Sequence, residues 1–255
     1  MSGKQEREKR RQERMTAENK VDNQDKRKKL LQFGAGAAFL AVVIVAVLIV
    51  IASGGDDGGD AGNVKHASTV DQELSGLQQD GMVLGDPNAP VEVIEFGDLQ
   101  CPVCKSASEN ILPALFEGPV AQGQAKIAFR NFVVISEESE TAGAAAIAAG
   151  EQGRGWSFVE LFYRNQGREG SGYVTDEFLT AIAEGAGVAD IQKWNEARNG
   201  SDVKNKVEED QEEAIRLGFE GTPSFAVKGP NTNGIELLGN VASAADLESA
   251  INAAS

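Results

Sequence analysis

Apolar and polar positions alternate along this chain in several different ways, and each predicts a different kind of element. Residues 1–29 show no sustained apolar period and predict a polar tail. From Leu30 to Gly55 no residue is charged, and the apolar centre Ala35–Ala52 with its neutral flanks is long enough to cross hydrocarbon. One transmembrane helix over 30–52 is expected. The rival reading is an export signal that is cleaved, but about 29 residues precede the run and Ala52-Ser53-Gly54 only loosely resembles a cleavage site. Then comes "SGGDDGGDAGN" (Ser53–Asn63), a Gly/Asp-rich stretch that predicts a flexible linker over 53–80, with the folded domain following over 81–255.

Within that domain "APVEVIEF" (Ala89–Phe96), rich in β-branched residues and preceded by the turn-like "GDPN", predicts a buried strand, and "KIAFRNFVV" (Lys126–Val134) a second. Residues 136–217 then carry four helical patterns, "TAGAAAIAAGEQ", "WSFVELFYRN", "DEFLTAIAEGAG" and "VKNKVEEDQEEAIRLG", separated by Gly-rich breaks. "PSFAV" (Pro223–Val227) and "IELLGN" (Ile235–Asn240) predict two short strands joined by a "GPNTNG" turn. A last amphipathic helix is expected behind Ser243 as N-cap. Trp156, Phe158, Phe162 and Tyr163 fall at helical spacings and are expected in the core. "SEESE" (Ser136–Glu140) reads as a capped, solvated helix start.

Charge sharpens this division. Residues 1–29 hold eleven Lys/Arg against six Asp/Glu and the remainder thirteen against thirty-three, so net charges of +5 and −20 sum to −15. So acidic a body has no basic stripe to neutralise phosphates, which argues against nucleic acid as a partner. The cluster "KRKK" (Lys26–Lys29) before the apolar run keeps the N-terminus cytoplasmic by the positive-inside rule. Everything after Ala52 is then extracytoplasmic, at the cell membrane, where disulfides persist.

That setting bears on the only two cysteines, Cys101 and Cys104, in "QCPVC". Zinc would need two more ligands, and the single histidine, His66, falls in the expected linker, with too little context for a catalytic role of its own. A passive bridge three residues long would close too short a loop to stabilise much. A redox pair has a mechanical basis in the order strand, motif, helix. Pro102 suits the first helical turn, which places Cys101 at the helix N-terminus, where unpaired N–H groups and the helix dipole stabilise a thiolate. Cys101 is the expected nucleophile, open to attack, and Cys104, one turn on and more interior, the resolving thiol.

With these residues in view, "GDPNAPVEVIEFGDLQCPVC", "AAIAAGEQGRGWSFVELFYRN" and "AIRLGFEGTPSFAVKG", in that order from about Gly85 to Ala254, resemble the DsbA-like branch of the thioredoxin superfamily. The resemblance implies an α/β thioredoxin-like fold with a helical insertion at about 136–217, here behind a single N-terminal transmembrane helix. It implies thiol–disulfide exchange with unfolded or folding exported proteins, and a quinone-linked membrane partner of the DsbB or VKOR kind to reoxidise the pair. The redox-active disulfide Cys101–Cys104 would be the only cofactor, with no metal. Thr222 and Pro223 match the family's cis-proline motif facing the disulfide, where a trans proline opening a strand is the alternative. Together with Pro102 and Val103 they are the positions expected to meet substrate.

Glu95, six residues before Cys101, matches a buried acid able to pass a proton to or from Cys104, although Asp98 lies close enough that alternation leaves open which acid is buried. Val103 stands where strong oxidants of the family carry histidine. Its side chain offers the Cys101 thiolate neither charge nor hydrogen bond, and less stabilisation of the reduced state follows. A dithiol oxidase is the leading expectation. A reductase or isomerase of the same fold, or a tethered peptide-binding module with an inert disulfide, are the alternatives.

Overall fold

The computed structural model describes residues 64–239 and 241–255. The expected tail over 1–29 and membrane span over 30–52 lie outside them, and among the described residues no helix is long and apolar enough to cross a membrane.

Six strands form one sheet in the order β1 (Gln79–Asp80), β2 (Val83–Leu84), β4 (Ala125–Asn131), β3 (Val91–Gly97), β5 (Ser224–Lys228), β6 (Glu236–Leu237). β3 lies centrally, parallel to β4 and antiparallel to β5, with Glu95 opposite Phe129 and Phe225. Val91 and Val93 point into the larger core with Leu112, Leu115, Leu247 and Ile251. Ile94 and Phe96 point the other way, onto Phe132, Ala214 and Phe219. Both faces of β3 are therefore covered, which explains its nearly continuous apolar run.

Between β3 and β4 run helices α2 (Pro102–Asn110) and α3 (Leu112–Leu115), closed by a π-helical turn at Phe116–Val120. Between β4 and β5 the insertion holds five helices: α4 (Glu137–Gly150), α5 (Gly155–Arg164), α6 (Asp176–Gly185), α7 (Ile191–Arg198) and α8 (Ser201–Leu217). α9 (Ala244–Ala254) packs back on β3 and β5, opened by the expected Ser243, whose capping box is completed by Asp246. α8 ends at Gly218, whose φ of +83° suits a residue without Cβ.

Three expectations are corrected. The linker over 53–80 is too long: helix α1 (Ala67–Glu73) and strand β1 belong to the folded body, because Val70 and Leu74, one turn apart, are buried. The four helical patterns become five, since "IQKWNEAR" folds as α7. Its two large apolar side chains, Ile191 and Trp194, are too few to set a period, yet Trp194 is fully buried, donates to the Ala145 carbonyl at 2.9 Å and is covered by the Arg198 guanidinium at 5.0 Å. Ser136 occupies the N-cap position of α4 without capping it, and its hydroxyl instead accepts from the Gln100 side chain at 2.9 Å. Trp156, Phe158, Phe162 and Tyr163 are fully buried as expected.

Candidate active site

After β3 the chain turns through Asp98–Gln100 and starts α2 at Pro102. Asp98 holds that turn. Its carboxylate accepts from the backbone N–H groups of Gln100 at 2.8 Å, Val134 at 2.8 Å and Ile135 at 2.9 Å. Glu95 is different. It lies on the larger core face of β3, fully buried, and neither of its carboxyl oxygens has a hydrogen-bond partner. Both acids near the motif are therefore buried, but Asp98 is engaged by backbone and Glu95 is not.

Cys101 takes the N-cap position of α2 with extended backbone (φ −74°, ψ 120°), followed by Pro102 in the first turn. Both cysteines are free thiols. Cys101 keeps 6% of its surface open and Cys104 none, so the expected order of outer and inner thiol is present, although Cys101 is far less exposed than expected. Pro102 and Val103 are exposed beside it, Val103 to 53%. Across the site the Thr222–Pro223 bond is cis, and the Cys101 thiol donates to the Thr222 carbonyl at 3.6 Å.

This environment drives the two thiols apart. Cys101 falls from an ordinary 9.0 to about 6, chiefly because Cys104 hydrogen-bonds to it, with burial opposing and with the Thr222 side chain and the backbone N–H groups of Cys104 and Val103 adding to the fall. Position 103 thus contributes through its backbone what its side chain cannot. Cys104 rises well above the ordinary thiol value through burial, its hydrogen bond to Cys101 and the nearby charges of Cys101 and Glu95. Glu95 also rises well above the carboxylate range, through burial first and then the charges of Glu160 and Cys101. At neutral pH the set holds one thiolate and one thiol, beside a carboxyl whose burial favours its protonated form.

Ultraviolet thiolate absorbance of the reduced protein is expected to show one thiol ionising with a midpoint of about 6 and the other staying protonated beyond pH 9.0. A single midpoint in the ordinary thiol range would contradict the geometry. Because the folded value of Cys101 lies below the unfolded one, its stabilisation of the reduced protein is complete above about pH 9.0 and is lost as pH falls through about 6.

Several residues that the sequence did not assign to the site hold it in place. The Tyr163 hydroxyl donates to the Asp98 carbonyl at 3.3 Å, in a space that exists because position 97 is glycine: a Cβ there would sit 3.0 Å from that hydroxyl and 2.7 Å from the Phe129 ring. Gln166 donates to the carbonyls of Leu99 at 2.7 Å and Cys101 at 3.2 Å. The Gln100 side chain donates to Ser136 at 2.9 Å and accepts from the Gly170 backbone N–H at 2.8 Å. These contacts bridge 36 to 70 residues of sequence and have no local signal.

A family model described as Thioredoxin matches residues 77–252. The chain belongs to the thioredoxin family. Within that family it is a DsbA-like protein-disulfide oxidoreductase. The "Probable disulfide bond formation protein D" of Bacillus cereus is 33% identical over 153 residues, covering 59% of this chain and 71% of that protein. The crystal structure of BdbD from Bacillus subtilis, in its oxidised form, superposes with a TM-score of 0.60 at 24% identity, covering 69% of this chain and 94% of that one. A thioredoxin-like oxidoreductase from Silicibacter pomeroyi superposes with a TM-score of 0.54 at 27% identity, covering 67% and 89%. The fold is thioredoxin-like α/β with a helical insertion between β4 and β5.

Proposed function

We propose that this chain is an extracytoplasmic dithiol oxidase that introduces disulfides into unfolded or folding exported proteins through Cys101 and Cys104. The observation that carries this reading is the stabilised Cys101 thiolate at the start of α2, above a protonated Cys104 and against Thr222. A pair whose reduced form is stabilised gives up its disulfide readily and so oxidises others. The reaction begins on the oxidised pair. A substrate thiolate attacks the Cys101 sulfur, the Cys101–Cys104 bond breaks, and Cys104 leaves and takes a proton from Glu95. A second substrate thiolate then attacks the substrate sulfur of the mixed disulfide and releases Cys101 as the thiolate. Two electrons pass from the substrate dithiol to the protein, and the Cys101–Cys104 pair is the only redox cofactor the reaction uses.

Pro102, Val103, Thr222 and Pro223 form the surface that meets the peptide, with the Thr222 backbone pairing to it as an added strand would. Reoxidation falls to a quinone-linked membrane partner of the DsbB or VKOR type, reached by anchoring in the lipid bilayer through residues 30–52. Cys104→Ala tests the order of attack. With no resolving thiol it is expected to accumulate covalent complexes through Cys101, seen as reductant-sensitive bands, at many times the wild-type level. Trapping through residue 104 in Cys101→Ala instead would reverse the assignment. The Val103 side chain favours a weaker oxidant, and equilibrium with glutathione separates the two directions: a potential near that of thioredoxin would make the chain a reductase.

A further inference from the structure

Glu160 on α5 is a second fully buried carboxyl, and the exchange described above leaves it without a task. Its Oε2 accepts from the Ser108 hydroxyl at 2.8 Å, and its Oε1 has no partner. Ser108 lies one turn beyond Cys104 on the same side of α2, and both are fully buried. The charged groups around Glu160 come from four elements. On its own helix Arg164 stands 4.0 Å away but is paired with Glu73 of α1. Glu109 of α2 and Glu73 both act on it, and its own charge acts on Glu95 of β3. Glutamine would accept from Ser108 equally well, so that hydrogen bond alone does not account for an ionisable group buried with an orphaned oxygen.

We propose that Glu160 is a positioning residue of the dithiol site, holding a proton in reserve for Glu95 and tying the cysteine-bearing helix to α5 through Ser108. The proposal rests on the reading that Glu95 exchanges a proton with Cys104. When Cys104 leaves as a thiolate it takes the proton of Glu95, and the Glu95 carboxylate is reprotonated at the expense of Glu160. Two buried carboxyls so coupled do not ionise together. Glu160 regains its proton from water beside Arg164 and Glu73, whose side chains are 14% and 16% exposed. No electrons move in these steps, and reoxidation runs them in reverse. The reserve is full below about pH 8, the value to which burial raises Glu160 against the opposing pull of Ser108 and Arg164.

The experiment compares full-length wild type and Glu160→Gln in single-turnover reduction of the oxidised protein by a two-cysteine peptide across the pH range. Glu160→Gln is expected to be about ten-fold slower below pH 8 and to converge on wild type above it, as the reserve empties. A rate ratio that does not change with pH means a structural role and overturns the proposal. Equal rates below pH 8 with divergence above it mean a bystander charge, and overturn it too. Redox-difference infrared spectra test the same claim without relying on that variant's folding. Followed in time through the single turnover, wild type should show a protonated-carboxyl band, beyond the one lost in Glu95→Gln, that falls as Cys104 leaves and recovers as Glu160 refills, and its absence refutes the reserve. Wild type that the peptide cannot reduce at all brings down the exchange reading itself, an outcome distinct from a normal wild type with a flat ratio.

Discussion

Cys101→Ser is expected to bring oxidation of a reduced two-cysteine peptide down to the uncatalysed rate, a loss of at least about a thousand-fold, the scale on which removal of a nucleophile is felt. The substitution keeps the shape of the site. Cys101 is 6% exposed, and its thiol meets Cys104 and, at 3.6 Å, the Thr222 carbonyl, partners a hydroxyl can also hydrogen-bond, so serine should fit at a cost of about 1 kcal/mol or less. What disappears is the capacity to form and break a sulfur–sulfur bond. The remaining Cys104 offers little in its place, because it is fully buried and held as the thiol. Peptide oxidation followed by free-thiol counting measures the effect. A Cys101→Ser protein that still oxidised peptide at the wild-type rate would show that the chemistry resides elsewhere.

Glu95→Leu should move stability and activity in opposite directions. A buried carboxyl with two unpaired oxygens costs the fold about 1 to 3 kcal/mol, and leucine of similar volume removes that cost. The gain has a definite pH dependence. Because the folded value of Glu95 lies above the unfolded one, the folded chain holds a proton that the unfolded chain releases once pH exceeds the ordinary 4.5. The variant should therefore gain little in acid and most at neutral pH and above, where thermal melts should place it above wild type. Its turnover should fall by about a hundred-fold, since Cys104 then leaves and returns without a proton partner. A Glu95→Leu protein that melts lower, or that turns over normally, would contradict the environment described for this side chain.

Much of the site was legible because its chemistry is local. The spacing of Cys101 and Cys104, and Pro102 in the first turn, fix a helix start and two unlike thiols within four residues. The likeness to DsbA proteins drew attention to Thr222 and Pro223, which no local pattern would have joined to Cys101, 121 residues away. Glu95 against Asp98 could not be decided from alternation, because β3 is covered on both faces and both acids are buried. What separates them is the backbone N–H groups of Val134 and Ile135, which reach Asp98 from across 36 and 37 residues. The same limit hid Ser108 and Glu160, 52 residues apart. Strands β1 and β2, two residues each, are too short for any period to register, and α7 hides behind its polar majority.

The amide of Gln100, immediately before the reactive cysteine, is shared between Ser136 and the Gly170 backbone at either end of the first two insertion helices. Cleft and cap are thereby fastened to each other before any guest arrives. In the exchange proposed above, the loss of conformational freedom on docking then falls on the substrate polypeptide, which must drape itself along a rigid rim. Slack, still-unstructured segments can follow that contour, whereas cysteines already locked inside a finished globule would have to be pried loose first.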